Sequence, residues 1–349
     1  MFLVLVVHAD FSSLGYPTLQ DAKFAHFPTF MRLFFEALAF VCVNIFVIIS
    51  GWFSVKLKFK KIIEFIYQSV FILTLLYLVL IILDKSEISV SGIKNCLLLT
   101  KDGWFIKSYL FLLLISPVLN SFYKSFDAKK SLLVIFSFFL FVFIFEWTFD
   151  SVSYFSHGYS PLFFIGLYLL SRHIRIYYTY LILRNNKYFY LVLYVVVSLV
   201  ISILAYISLI FFQSETSGRI FGMLYSYLNP LVIISSFSLF AFFSKLHFSN
   251  SFINQIAISC FAVYLVHAVN PYIYNLFKEV VSLIYMNSTG FISLIEISLF
   301  LIIVFILSVF IDKIQRLSWR FLAYPFTCRI WNIFTKYFPS LTYLENNID

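Results

Sequence analysis

The sequence predicts an all-α, polytopic membrane protein with about ten transmembrane helices, and three observations predict it. Hydrophobic residues make up 62% of the 349 and charged residues only 12%, against about a quarter charged in an ordinary soluble domain. Largely apolar runs of about 16 to 25 residues recur along the chain, the length an α-helix needs to cross hydrocarbon. Lysine and arginine collect in alternate loops, as they do on the cytoplasmic side of multi-pass proteins.

Taken in order, the apolar runs give nine full spans, at 34–53, 65–83, 104–119, 132–149, 160–176, 188–212, 220–243, 253–277 and 291–311. Ahead of them Phe2 to Val7 is apolar and leads into His8. So short a helix rises only about 10 Å against a hydrocarbon core of about 30 Å, so this segment reads as the outer end of a first span truncated at its N-terminus. With the missing start in the cytoplasm, the loops after the even-numbered spans and a tail over about 312–349 are cytoplasmic too. Those segments, together with the inner end of the span 160–176, hold 17 of the 25 basic residues, among them Lys56, Lys58, Lys60, Lys61, Lys129, Lys130 and Arg175. The acids run the other way. Ten spans with both ends inside therefore agree with the positive-inside bias, which also accounts for the net charge of +9 without a nucleic-acid partner.

The first apolar stretch lacks a basic leader and a small-residue cleavage site, so no cleavable signal peptide is expected. Loops are short and no internal repeat is visible, so one integral membrane domain over 1–349 is expected. Cys42 and Cys260 fall in spans, Cys96 in a loop and Cys328 in the tail, with no disulfide or metal-ligand spacing. No metal is expected.

Ionisable groups inside spans are costly in hydrocarbon and are functional candidates for that reason. In the topology above His8, Glu36, Glu146, His267 and Glu296 fall toward outer ends of spans, while Lys58, Lys61, Arg172 and Arg175 mark the inner side. An imidazole titrates near 6.5, so His8 can take or give a proton at working pH; solvation by headgroups is the plainer reading of a histidine there. Asp10 stands two residues on and points away from His8 if the helix continues, which makes Glu36 the better orienting partner. Tyr264 and His267 are three apart and share a helix face, either as a site or as a belt tyrosine beside a histidine satisfied by a neighbouring helix. Residues 44–62, NIFVIISGWFSVKLKFKKI, run from Asn44 through Ser50 and Gly51 to four lysines in six residues. That run is either a positive-inside flank or a place where lysines meet phosphates and Gly51 lets a ligand approach the backbone.

These residues resemble the acyltransferase-3 family of membrane O-acyltransferases, in its bacterial surface-polysaccharide branch. The resemblance covers nearly the whole chain and rests on LVLVVHAD (3–10), IFVIISGWF (45–53), GWFIKSYLFLLLISPVLN (103–120), HGYSPLFFIGLYLLSRHIR (157–175) and FAVYLVH (261–267). It implies transfer of an acetyl group from acetyl-CoA, a donor substrate and no resident cofactor, to a hydroxyl of a surface or lipid-linked polysaccharide. It also implies a bacterial cytoplasmic (inner) membrane location, with the bilayer and the saccharide as partners. The histidine closing the first span, here His8, is the family's catalytic residue, with Glu36 and His267 as further catalytic candidates. The family's basic pair spaced by three becomes Lys58 and Lys61, with Ser50 and Gly51 beside them for the donor. The family also places an Arg or Lys eleven positions before the histidine, which here falls upstream of Met1.

The resemblance gives His8 the role of general base on the sugar hydroxyl, or of acyl carrier. Asn44, Tyr264 and Trp104 are candidates for the substrate side, including an oxyanion donor. The reading from another class is a flippase for lipid-linked sugars, which also has many apolar spans. Paired outer histidines and the absence of a repeated half stand against it. A glycan polymerase would be expected to carry a long outer loop, which is missing.

Overall fold

The computed structural model describes residues 1–247 and 249–337, and among these every regular element is a helix. Among the described residues six helices are long and apolar enough to cross a membrane: His26–Trp52, Phe59–Ile82, Trp104–Ser125, Ala128–Thr148, Lys187–Phe211 and Phe291–Tyr337. Ser251–Ile258 and Cys260–Ala268, bent by 41° at the break between them, make a seventh if counted as one broken span. Phe2–Leu14 and Pro230–Ser244 are apolar but shorter. The chain is a multi-pass helical membrane protein, with six or seven crossings supported by helix length and the expected ten not established by it.

The difference has local causes. The expected span 220–243 is interrupted, because Ser214–Leu224 ends before Asn229, whose side chain accepts the Leu231 N–H at 2.9 Å and caps the helix Pro230–Ser244. The expected span 253–277 breaks at Ser259 and again at Asn270, which accepts the N–H groups of Tyr272 and Ile273 at 3.0 and 3.3 Å. In both places an Asn side chain occupies orphan donors and the following proline, at the first helical position, is preset for the new helix. The same device, Ser160 before Pro161, starts Pro161–Tyr177. At the other end, Phe291–Ser318 runs on through a π-helical turn, Trp319–Ala323, into Tyr324–Tyr337. Part of the tail expected over 312–349 is therefore helical, and its residues 338–349 lie outside the described residues.

The chain divides into two compact units, the first formed by Met1–Phe2, Lys56–Pro117 and the chain from Ser249, the second by Leu3–Val55 and Val118–Phe248. In the second unit Lys187–Phe211 packs on His26–Ala39 and on Pro230–Ser244, and Pro161–Tyr177 packs on Cys42–Trp52 and on Ala128–Phe141. The contact of Pro161–Tyr177 with Cys42–Trp52 depends on Gly51. A Cβ there would stand 2.5 Å from the Tyr168 carbonyl oxygen and 2.9 Å from the Ser171 Cβ. Ser171 Oγ also donates to the Ile48 carbonyl at 2.7 Å. In the first unit Cys260–Ala268 touches Phe59–Ile82, Pro271–Asn287 and Phe291–Ser318. A buried polar link fastens these helices: Gln68 donates to Asp312 at 2.6 Å, and Arg316 donates to Asp312 at 2.7 Å and to Ser259 Oγ at 3.0 Å.

Candidate active site

The helix Phe2–Ala9 carries His8 in its last turn and ends there, so Asp10 sits outside it as the cap of the short helix Phe11–Leu14. Ser13 Oγ donates to the His8 carbonyl at 2.5 Å, fastening the turn. Because the helix has ended, Asp10 is free of the geometry that would turn it away from its own helix face. It meets Arg32, whose Nε donates to Asp10 Oδ1 at 2.7 Å while Nη2 donates to the Gly15 carbonyl at 2.7 Å. Both side chains of the pair are mostly out of solvent, at 14% and 13% exposure. Burial pushes the Asp10 carboxyl up to about 6, against the opposing pull of the Arg32 guanidinium.

Glu36 lies one turn beyond Arg32 on the same helix and is fully buried. Neither of its oxygens closes a hydrogen bond, although the Phe11 N–H lies near enough to steady a negative charge. Arg32 therefore faces two carboxylates, Asp10 and Glu36. Aromatic rings wall this cluster: Phe11 meets Tyr16 at 4.9 Å and Tyr225 at 4.7 Å, both edge-on, and the Tyr225 hydroxyl donates to the Leu33 carbonyl at 2.9 Å. A carboxylate without a hydrogen-bond partner in such surroundings is costly. It is also an acceptor kept available for a proton or a ligand.

The second unit holds the remaining candidates from the first two spans. Asn44 is fully buried and donates to the Tyr227 carbonyl at 3.1 Å, while its Oδ1 has no partner. An Asn44 N–H aimed at an oxyanion would have to leave Tyr227. Ser50 donates to the Phe46 carbonyl at 2.9 Å within its own helix. The room expected for a ligand at Gly51 is filled by the backbone of Tyr168.

The first unit holds the others. His267 is buried, its Nδ1–H donates to the Val263 carbonyl one turn back, and its ring lies 5.4 Å from Phe277. A carbonyl only accepts, so Nδ1 carries a proton. This partner is thus on its own helix. Tyr264 packs edge-on to Phe105 at 5.6 Å, and Trp104 packs on that same Phe105 ring at 5.8 Å. Lys58 caps Phe59–Ile82 and Lys61 follows three positions later, both exposed. A helix N-terminus carries about half a positive charge, so two lysines there add to an anion-attracting end.

Arg32 was not among the residues singled out from the sequence. Its signal was an Arg32–Glu36 spacing of four at the head of an apolar run, a spacing that puts both groups on one face. Among the described residues no cluster of histidine, cysteine and acid can hold a metal ion.

The fold is thus that of a multi-pass helical membrane protein in which the Asp10–Arg32 ion pair follows the helix that carries His8, and the buried Glu36 carboxylate lies one turn beyond Arg32. The family profile described as an acyltransferase domain, that of acyltransferase-3, matches residues 1–313 of the chain. The chain belongs to that family and is an acyltransferase acting on groups other than aminoacyl groups. No curated protein and no solved structure matches it.

Proposed function

We propose that this acyltransferase moves an acetyl group from acetyl-CoA to a hydroxyl of a surface or lipid-linked polysaccharide in a bacterial inner membrane, with His8 as general base. His8 takes the proton of the acceptor hydroxyl as its oxygen attacks the thioester carbonyl carbon. The tetrahedral intermediate then expels the CoA sulfur, and the proton on His8 passes to the departing thiolate. Each proton transfer by a positioned base contributes about 10² to 10⁴ in rate. The observation that supports the reading is the cluster formed by the segment that follows His8: Asp10, two residues on, is held by Arg32, with Glu36 buried and without a hydrogen-bond partner one turn further on. In the proposed reaction this cluster supplies a fixed charge on the side where the imidazole becomes cationic in the transition state.

Lys58 and Lys61 take the phosphates of the donor. Lysine is a point charge and not a bidentate fork, so each phosphate contact is exchangeable with water. Changing both to Gln should raise the KM for acetyl-CoA with little effect on kcat. The whole reading is tested by proton NMR of surface polysaccharide from strains with and without the intact gene. An O-acetyl signal that depends on the gene supports it, and identical spectra overturn it.

A further inference from the structure

Away from the His8 cluster, the second unit contains a cleft of about 360 Å³, inside the roughly 300–1,000 Å³ range of small-molecule sites. Glu146, Trp147, Asp150, His157, Arg219 and Gly222 line it. Glu146 and Trp147 stand on a π-helical turn, Val142–Thr148, a local widening often found at functional sites. Glu146 is buried and accepts the backbone N–H of Phe155 at 3.3 Å and of His157 at 3.1 Å. Two donors leave part of the acceptor capacity of a carboxylate unused. Those bonds hold a loop in which Ser156 and His157 adopt φ of 44° and 53°, a region costly for residues with a side chain.

The facing wall is the helix Ser214–Leu224, and two hydrogen bonds set its distance. The Trp147 indole N–H donates to the Met223 carbonyl at 2.8 Å, and Arg219 donates to the Thr148 carbonyl at 3.3 Å. At Gly222 an added Cβ would meet nothing within 4 Å, so the missing side chain leaves the space open. The same helix presents Phe221 to Tyr16 at 5.8 Å and to Phe11 at 6.3 Å. One helix therefore borders both the cleft and the loop that follows His8.

We propose that this cleft binds a sugar ring of the acceptor saccharide, an inference that rests on the acyl-transfer reading above. The charge pattern selects the ligand. Two carboxylates, Glu146 and Asp150, against one guanidinium repel the polyphosphate of a CoA. A polyhydroxylated ring can instead donate to the carboxylates and accept from Arg219 and His157. Trp147 gives the wall a flat apolar surface for the C–H face of such a ring. Binding energy from a ring held here is what an enzyme of this kind uses to place the reacting hydroxyl.

The test uses purified full-length protein in nanodiscs and two probes: oligosaccharides released from the strain's own surface polysaccharide after de-O-acetylation, and acetyl-CoA. Saturation-transfer NMR should show the oligosaccharide bound to the wild type. Gly222→Leu, which fills the cleft and replaces glycine by a better helix former, should weaken that binding by about tenfold or more, and Gly222→Ala by less. Arg219→Ala should also weaken it. All three variants should bind acetyl-CoA as the wild type does. No oligosaccharide signal in the wild type, or equal signals in wild type, Gly222→Leu and Arg219→Ala, overturns the inference. The two readings fail separately: oligosaccharide binding that is sensitive to Gly222→Leu in a protein that transfers no acetyl group upholds the cleft and sinks the acetyl-transfer reading.

Discussion

Arg32 reaches across 22 residues of sequence to Asp10, donating to its Oδ1 at 2.7 Å, and so fixes the loop that follows His8 to the helix that carries Glu36. Replacing Arg32 by Ala strands two carboxylates in largely buried surroundings, which costs about 3 kcal/mol when one partner of such a pair is removed. The midpoint of thermal unfolding in detergent should fall clearly. Arg32→Ala combined with Asp10→Asn should recover part of the loss, since the double change removes one of the stranded charges. No recovery would show that Arg32 acts through packing alone.

The same pair sets a pH dependence. Burial holds the folded-state Asp10 carboxyl at about 6, against about 3.9 in an unfolded chain. Between those values the folded state keeps a proton that the unfolded chain has released, so the Asp10 contribution destabilises the fold as pH rises through that window. Thermal melts from pH 4 to 7 should therefore slope downward more in the wild type than in Asp10→Asn. Parallel curves would contradict the assignment.

Gly51→Ala should be poorly tolerated, because its Cβ would lie 2.5 Å from the Tyr168 carbonyl oxygen. The two helices must separate or shift, at a cost of about 1–3 kcal/mol for overpacking. Membrane yield and thermal midpoint should both drop. Wild-type stability in Gly51→Ala would return Gly51 to the role of a ligand-approach residue.

Much of this was legible in the sequence. Composition and apolar runs give a helical membrane protein because both follow from the 30 Å scale of hydrocarbon. The Asn270–Pro271 and Asn229–Pro230 pairs announce helix starts, yet each lies within a continuous apolar run, and hydropathy outweighed the caps. His8 and Glu36 were visible as charges in apolar company. The Asp10–Arg32 bond and the Gly51–Tyr168 contact were not, because partners 22 and 117 positions apart leave no mark on local periodicity. Glu146 was visible as an ionisable group in a span, but the backbone donors that hold it come from a loop in which Ser156 and His157, not glycines, adopt left-handed φ ahead of Gly158.

Topology is tested by reporter fusions. From the bias of basic residues, fusions after Lys61, Lys130 or Lys187 should read cytoplasmic and fusions near Lys94 or Glu215 external. A fusion at Lys61 or Lys130 that reads external would overturn the orientation.

The central claim is that His8 moves the proton in acyl transfer, and the most direct measurement is O-acetyl content of surface polysaccharide by proton NMR, comparing wild type with His8→Ala at matched membrane expression. A positioned general base is worth about 10² or more in rate, so the variant should lose about that much acetylation. His8 is half-exposed at a helix end, where headgroups and water can replace its contacts, so its thermal midpoint should hardly move. Equal acetylation in the two strains would contradict the account.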